Sequence, residues 1–243
     1  MFTNNLKIEF ALGTDVGLQR EHNEDVCLAR PELGLWLVAD GMGGHQAGEV
    51  ASALARDTVV NSVVAGLSLV DALAAAHEAI KAQSSSSAST LEMGTTMVAL
   101  QIRESSFEVA WVGDSRAYLH TDTLVALTQD HSHVQALVEQ GLITAAQARV
   151  HPHRSMVLQA LGVNPAGALR IDRITGDLRP GMQILLCSDG LTDRVEDDEI
   201  ARILAQPGSS PQGCADQLIR AALDAGGRDN ITIIVLRCSN ARG

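Results

Sequence analysis

Four aspartates of this 243-residue chain lie where a short apolar run meets a turn: Asp40, Asp114, Asp189 and Asp229. A strand end holds a carboxylate rigidly, and a nearby glycine lets the backbone and a ligand approach closely. Hard divalent cations such as Mg²⁺ and Mn²⁺ prefer carboxylate, carbonyl and water oxygens. Carboxylates that converge repel one another, and bound cations remove that repulsion. A single Asp-Gly pair usually marks only a tight turn, but four aspartates at strand ends, each with a glycine nearby, predict an oxygen-lined divalent-metal centre.

A second charged cluster runs from Arg20 to Asp25, just before an apolar run. Glu24 and Asp25 could add carboxylates at or behind a metal, and the planar guanidinium of Arg20 could grip a phosphate. Taken alone, such a cluster is more often a solvated loop. The cluster can take part in the site only if folding brings it close to the four aspartates.

The elements that must position these residues follow from apolar patterning. Predicted strands are Leu6–Leu12, Val26–Ala29, Leu35–Ala39, Thr96–Ile102, Phe107–Val112, Gln183–Cys187 and Ile231–Leu236. Predicted helices are Glu49–Val64, Val70–Gln83, Gln212–Ala225 and one that opens at Asp197. Strands in hairpin-like pairs and helices in consecutive pairs favour an α+β fold with antiparallel sheets over a doubly wound parallel sheet. With no internal repeat, we expect one domain over residues 1–243.

Residues 131–162 differ from the rest of the chain in composition and in apolar pattern. They contain His131, His133, His151 and His153, two short helical patterns and no convincing strand. This composition predicts an irregular excursion from the sheet, and we expect a lid, or flap, at about residues 129–163 beside the site.

Composition excludes several classes of protein. A net charge of −11 disfavours nucleic acid and anionic membranes as partners. No signal peptide and no apolar run of about 18 residues is present, so we expect a cytoplasmic protein without a membrane span. The four cysteines, Cys27, Cys187, Cys214 and Cys238, are scattered without a C-x-x-C pair, which disfavours a zinc site, and the apolar runs around Cys27 and Cys187 predict that these two are reduced core residues.

Six short motifs occur in order between about Leu6 and Leu236. They are Gly17…Arg20…Asn23-Glu24-Asp25, Asp40-Gly41-Met42-Gly43-Gly44, Gly94-Thr95-Thr96, Gly113-Asp114-Ser115-Arg116, Ser188-Asp189-Gly190-Leu191 and Asp229-Asn230. Each motif alone is weak, but six in sequence are highly specific. With them, the chain resembles the type 2C metal-dependent protein phosphatases (the PPM family) in their bacterial form.

The resemblance implies a four-layer α-β-β-α sandwich, in which helix pairs flank two antiparallel sheets. It also implies two core Mn²⁺ or Mg²⁺ ions that share Asp40, with the Gly41 carbonyl, Asp189 and Asp229 as further ligands. Asp25 matches an acidic position beside the metals, Arg20 matches the phosphate-binding arginine, and Asp114 with Asp189 matches a third, weaker metal position. The segments Thr128-Gln129-Asp130-His131-Ser132 and His151-Pro152…Arg154 match the flap.

The activity implied is hydrolysis of phosphoserine and phosphothreonine in proteins by a metal-activated water, with Arg20, Asp40, Asp189 and Asp229 as the catalytic group. The implied partners are phosphorylated proteins, including a serine/threonine kinase and its targets, and the chain is expected to act as a monomer. Two rivals remain: a catalytically weak phosphatase-like module that binds phosphoproteins, and another two-metal hydrolase such as a nuclease. Intact metal ligands disfavour the first, and the acidic surface disfavours the second.

One position departs from the animal members of the family. Where they carry a histidine after the Asp-Gly pair, this chain has Met42, as bacterial relatives do. The proton donor to the leaving group is therefore unassigned. His45 is the nearby candidate, although a structural or solvent-facing histidine is the more common reading.

Overall fold

The computed structural model of the protein describes residues 2–3, 6–43, 47–86, 93–165 and 167–241. Its strands are β1 (Phe2–Thr3), β2 (Leu6–Asp15), β3 (Asp25–Arg30), β4 (Leu35–Gly43), β5 (Met93–Thr95), β6 (Met97–Arg103), β7 (Ser106–Val112), β8 (Arg116–His120), β9 (Leu124–Ala126), β10 (Asp172–Asp177), β11 (Gln183–Cys187) and β12 (Ile231–Asn240). Its α-helices are α1 (Ala47–Val64), α2 (Leu69–Ser86), α3 (His133–Glu139), α4 (Ala145–Arg149), α5 (Asp189–Thr192), α6 (Asp197–Leu204) and α7 (Pro211–Asp224).

The strands form two antiparallel sheets. The first has the order β1-β2-β12-β11-β8-β9, and the second has the order β10-β7-β6-β4-β3, with β5 paired to the end of β4. Between β7 and β8 the chain passes from the second sheet to the first, at Gly113-Asp114-Ser115. That crossing brings the strand ends of both sheets to a common region, which is where the predicted site residues lie.

Three apolar layers hold the fold together. The layer between the sheets is built from side chains such as Trp36, Leu100 and Ile234, which are fully buried. A second layer packs α1 and α2 on the second sheet, and a third packs α5, α6 and α7 on the first. Burial of a large aliphatic side chain contributes roughly 1.5–3 kcal/mol, so these layers make the sheets a rigid support. The α+β sandwich predicted from the sequence is confirmed.

The predicted strands and the longer helices are present, with small shifts at their ends. Sequence patterning missed β8, β9 and β10: β8 and β10 carry charged residues within the strand, and the apolar run of β9 is only three residues long. Residues 131–162 contain the two short helices α3 and α4 and only isolated bridges, Thr95 with Leu161 and Ser132 with Val157. Within the described part of the chain, no helix has the length and apolar character needed to cross a bilayer.

Candidate metal centre

Asp25 and Asp40 face each other across the second sheet. Asp25 is the first residue of β3 and its register partner Asp40 lies in the last half of β4, so the antiparallel pairing itself brings the two carboxylates together. The carbonyl oxygen of Asp40 accepts hydrogen bonds from the Thr96 N–H at 2.9 Å and the Thr95 hydroxyl at 2.8 Å. These bonds explain the Gly94-Thr95-Thr96 motif, because the threonines fix the backbone that carries Asp40.

Asp114 lies in the crossing between β7 and β8 and is 7% exposed. The preceding Gly113 has φ +105°, a conformation that favours glycine, and a Cβ there would lie 2.5 Å from the side chain of Thr96. The Thr96 and Ser115 hydroxyls also share a hydrogen bond of 2.8 Å. The tight crossing therefore holds Asp114 close to Thr96, the residue whose N–H bonds to the Asp40 carbonyl oxygen.

Asp189 and Asp229 come from the first sheet. Asp189 is the first residue of α5, and Asp229 lies two residues before β12. The two segments pack closely, since a Cβ on Gly190 would lie 1.9 Å from the Asn230 carbonyl oxygen. Only glycine fits there, which explains the Asp-Gly pair at this position.

The five carboxylates influence one another strongly. Burial raises the pKa of Asp40 well above its ordinary value, and the negative charges of Asp25, Asp189, Asp114 and Asp229 raise it further. The pKa of Asp189 is also well above its ordinary value, through burial and then through Asp114, Asp193, Asp229 and Asp25. Residues distant in sequence are thus gathered into one acidic centre.

The pKa values of the two remaining buried carboxyls, Asp25 and Asp114, are raised less. Burial raises the pKa of Asp25 to about 6, even though the Ser188 hydroxyl donates to its Oδ2 at 2.8 Å. Burial and the neighbouring Asp130 raise the pKa of Asp114 to about 7. Both shifts mean that the charged forms of these carboxyls are disfavoured by burial, a cost that a bound cation would lower.

The chemistry of the donors fits Mg²⁺ or Mn²⁺. Asp25 Oδ1 and Asp189 Oδ1 are buried oxygens without a hydrogen-bond partner in the described structure, and buried polar atoms are rarely left so. All the donors are hard oxygens, as these ions prefer. Among the described residues, no group of three or more His, Cys, Asp or Glu side chains is placed so that it could hold a metal ion as it stands. The carboxylates share a region but are not drawn together onto one point.

Gly41 occupies a crowded position at the end of β4. Its N–H donates to the Glu24 carbonyl oxygen at 3.2 Å, and a Cβ there would lie 2.2 Å from the Gly48 carbonyl oxygen in α1. The close packing joins the Asp40 strand to the Arg20–Asp25 loop and to the start of α1. The predicted role of the Gly41 carbonyl as a ligand stays a prediction.

Arg20 reaches the centre through Asp229. Its Nη2 donates to Asp229 Oδ2 at 2.8 Å, and this bond raises the pKa of the guanidinium. The side chain of Arg20 is 52% exposed, so it is accessible to an incoming anion. The loop that could have been merely solvated therefore belongs to the site.

Several residues at the site have no role in the sequence-based prediction. Ser188 donates to Asp25 and accepts from the Thr232 N–H at 3.0 Å, which joins the two sheets below the centre. Asp193 lies one turn after Asp189 and adds negative charge next to it. The four-residue spacing on a helix could have identified Asp193, but no local pattern identifies Ser188 as the partner of a residue 163 positions away.

The flap lies next to the centre. A cavity of about 380 Å³ is lined by Asp114 and Asp189 on one side and by residues of α3 and α4 on the other. Two ion pairs cross from the flap to the residues between α5 and α6, Arg149 with Glu196 at 2.6 Å and Arg154 with Asp193 at 3.6 Å. His45, the candidate proton donor, lies outside the described residues.

Comparison with known proteins identifies relatives over most of the chain. Residues 15–220 match the sequence model of the family described as protein phosphatase 2C. The chain is 38% identical over 248 residues to serine/threonine protein phosphatase PstP of Mycobacterium tuberculosis, covering 95% of this chain and 45% of that protein. It is 36% identical over 237 residues to serine/threonine phosphatase stp of Listeria welshimeri, covering 92% of this chain and 93% of the relative.

A solved structure is similarly close. The catalytic domain of serine/threonine protein phosphatase PstP in complex with two manganese ions superimposes with a TM-score of 0.84 at 35% identity. The match covers 97% of this chain and 100% of that one. The chain spans about half the length of the full PstP proteins that it matches, at 45%.

Proposed function

Because this chain belongs to the protein phosphatase 2C family, we propose that it is a serine/threonine phosphoprotein phosphatase with a dinuclear Mn²⁺ or Mg²⁺ centre. The observation that carries the proposal is the acidic centre, in which Asp40 is surrounded by Asp25, Asp114, Asp189 and Asp229. Arg20 lies beside it and is bonded to Asp229. Such a constellation suits a dianionic phosphoryl group, since cations and a guanidinium can share its charge.

The metal ligands that we propose for the two core ions are Asp40, the Gly41 carbonyl, Asp189 and Asp229, with Asp25 at the acidic position beside them. Asp114 together with Asp189 would hold a third, weaker ion. The manganese ions in the similar PstP catalytic domain and the two partnerless oxygens of Asp25 and Asp189 support this assignment. When bound, the pair of cations lowers the pKa of a water molecule and neutralises phosphoryl oxygens.

The chain's own residues orient the substrate and the carboxylates. Arg20 presents a planar guanidinium that can bind two phosphoryl oxygens, while Asp229 fixes its direction through the 2.8 Å bond. Ser188 and the two threonines at positions 95 and 96 hold Asp25 and Asp40 in place. No nucleophilic side chain is required, because the attacking oxygen comes from water. Protonation of the leaving alkoxide by His45 stays a prediction.

We further propose that residues 1–243 form a single catalytic domain and that residues of about 129–163 act as its lid. The cavity shared by the flap and the centre supports a role in holding the protein substrate. Phosphorylated proteins are the substrate class, and a serine/threonine kinase with its targets is the proposed source of them. Action as a monomer in the cytoplasm stays a prediction from the sequence.

Turnover of a phosphothreonine peptide tests this function directly. With Mn²⁺ the protein should release inorganic phosphate, EDTA should abolish the release, and excess Mn²⁺ should restore it. Activity that survives chelation would overturn the metal mechanism. Peptide binding without turnover would favour the phosphoprotein-binding module, and cleavage of DNA or RNA in a parallel assay would favour the nuclease.

Two matched variants refine the test. Asp229→Asn removes a proposed ligand and the partner of Arg20, so kcat/KM should fall by at least about 100-fold, more than is typical for residues behind the ligands. Asp224→Asn changes an exposed aspartate at the end of α7 and should leave turnover unchanged. Equal effects of the two substitutions would refute the assignment of Asp229.

A further inference from the structure

Asn230 is a buried amide, 5% exposed, between Asp229 and the first residue of β12. Its Nδ2 donates to the carbonyl oxygens of Val16 and His22, both at 3.0 Å. Its Oδ1 accepts from the Glu24 N–H at 2.8 Å. A primary amide has two N–H donors and one oxygen, so both ends of this side chain are bonded.

The three partners lie on both sides of Arg20. They belong to the loop of residues 16–24, which connects β2 to β3. The loop also touches the segment before Asn230, because the Leu18 N–H donates to the Gly227 carbonyl oxygen at 2.6 Å. Gly17 has φ +78°, and a Cβ there would lie 2.2 Å from the Asp229 carbonyl oxygen. The Arg20 loop is therefore folded closely around residues 227–230.

The same short segment also directs the guanidinium. Asp229 Oδ1 accepts from the Asn230 backbone N–H at 2.9 Å, and Asp229 Oδ2 accepts from Arg20 at 2.8 Å. Asn230 thus fixes the backbone of the loop, while its neighbour fixes the side chain that the loop carries.

We infer that Asn230 is a positioning residue for Arg20, and that it sets the place and direction in which the guanidinium meets the phosphoryl group. The inference rests on the proposed phosphatase function. Asn230 itself touches no substrate, and its effect on the phosphate passes through Arg20. A displacement of about 1 Å in such a group is enough to cost about 100-fold in rate.

Aspartate is a sharp substitution at this position because it has nearly the same shape. An aspartate could still accept from the Glu24 N–H, but it cannot donate to the two carbonyl oxygens. Its carboxylate oxygen would face those carbonyl oxygens at about the same 3.0 Å spacing and repel them. The loop of residues 16–24 should then move away and take Arg20 with it.

The test is a double-mutant cycle with Arg20→Ala, Asn230→Asp and the double variant, assayed on a phosphothreonine peptide with saturating Mn²⁺. Asn230→Asp alone should lower kcat/KM by about 10- to 100-fold, with a rise in KM as the larger part. In the Arg20→Ala background, the same substitution should cost less than about threefold, because coupled residues do not act additively. Mn²⁺ affinity is compared in the neutral variant Asn230→Ser, which adds no charge beside Asp229, and by titration calorimetry it should stay unchanged.

Several outcomes would overturn the inference. Full additivity of the two substitutions would show that Asn230 acts independently of Arg20. A loss of Mn²⁺ affinity with KM unchanged would show that it acts through the metal ligands instead. A wild-type protein without phosphatase activity would remove the proposed function and this inference together, whereas normal wild-type turnover with additive variants would remove this inference alone.

Two further variants guard against a general loss of structure. Gln183→Ala removes another buried amide, which donates to the Leu204 carbonyl oxygen at 3.0 Å at the end of β11 away from Asp189. Its melting temperature should fall as much as that of Asn230→Asp, while its KM should not change. If Asn230→Asp does not fold, Asn230→Ser replaces it, because serine is neutral and smaller, and the same criterion of non-additivity applies.

Discussion

The acidic centre and the flap lie on opposite sides of one cavity, yet they are held in different ways. Each aspartate of the centre lies in a strand, at the first residue of a helix or within two residues of a strand, next to paired backbone. The flap carries two short helices, and its side chains are mostly exposed or partly exposed. Its first end bonds to the crossing through His131 N–H and Gly113 O at 2.9 Å, and its return pairs with Thr95 through Leu161.

The two regions also differ in the kind of group that decides their stability. In the centre, burial and mutual repulsion raise the pKa of the carboxyls. At the two ends of the flap, His131 Nδ1 accepts from the Gly113 N–H at 3.2 Å and His77 Nδ1 accepts from the Gly162 N–H at 2.9 Å. Burial lowers the pKa of both histidines, which keeps them neutral and able to accept.

The pKa shifts of the carboxyls and of the histidines make the stability of the fold depend on pH in opposite directions. A carboxyl whose pKa is higher in the folded state stabilises the fold at low pH, and that contribution is lost as the pH rises through the folded pKa, about 6 for Asp25 and about 7 for Asp114. A histidine whose pKa is lower in the folded state stabilises above its ordinary value of 6.5, and that contribution is lost as the pH falls through the folded pKa. In the metal-free protein, a fall in pH should therefore stabilise the centre and destabilise the ends of the flap.

The largest effect should follow from Asp40→Asn, which removes the charge at the middle of the centre. Turnover should fall by at least about 100-fold, because a proposed ligand of both core ions is lost. The metal-free variant should nevertheless be more stable than the wild type at pH 8 by about 1–2 kcal/mol, or about 2–8 °C in melting temperature, since repulsion is relieved. Thermal unfolding in EDTA between pH 6 and pH 8 measures this.

Added Mn²⁺ supplies the control for that comparison. It should raise the melting temperature of the wild type more than that of Asp40→Asn, because only the wild type keeps the full set of ligands. A metal-free variant that melts below the wild type at pH 8 would contradict the idea that the centre is under electrostatic strain.

The sequence predicted where individual aspartates of the centre lie better than it predicted how they come together, for a physical reason. A strand end followed by Asp-Gly is a local signal, and Asp40 and Asp189 both carry it, so their positions could be predicted without knowing the sheet order. Their convergence could not be derived from spacing, because it depends on the register that pairs Asp25 with Asp40 and on the crossing at Gly113. Only the ordered set of motifs indicated that convergence in advance.

Two of the strands that the sequence analysis missed, β10 and β8, carry no local apolar pattern that would predict a strand. In β10, Asp172–Asp177, most side chains are exposed, as befits an edge strand, so no apolar alternation marks it. In β8, Arg116 forms a two-pronged ion pair with Asp130, at 2.8 and 2.7 Å, and thus a charged residue occupies a strand. Local patterns cannot predict a strand whose stability comes from a partner elsewhere in the chain.

A smaller effect should follow from acidification at the flap's return. Protonation turns His77 Nδ1 from an acceptor into a donor, which breaks the bond to the Gly162 N–H. After correction for intrinsic exchange rates, hydrogen exchange of that amide should quicken by about fivefold or more as the pH falls from 7.5 to below the lowered pKa of His77, equivalent to about 1 kcal/mol. The pH step should be lost in His77→Asn, whose side-chain oxygen can accept but does not titrate.

An internal reference sharpens this measurement. The Thr96 N–H donates to the Asp40 carbonyl oxygen in the centre, at 2.9 Å. In the metal-free protein its exchange should slow, not quicken, over the same acidification. If the two amides respond in the same direction, the two regions are not governed by opposite titrations, and the contrast drawn between them fails.

The smallest effect should come from the exposed ion pair between Arg149 in the flap and Glu196 before α6. Arg149 Nε donates to Glu196 Oε1 at 3.0 Å, and Nη2 lies 2.6 Å from Oε2, but both side chains are solvent-exposed, at 37% and 70%. Exposed pairs contribute about 0.2–1 kcal/mol. Arg149→Glu should therefore speed proteolytic cleavage within residues 140–154 by about two- to fivefold at low salt, and less at high salt because screening weakens the pair. Combining it with Glu196→Arg should restore protection, and a double variant as labile as the single one would show that the pair does not fasten the flap.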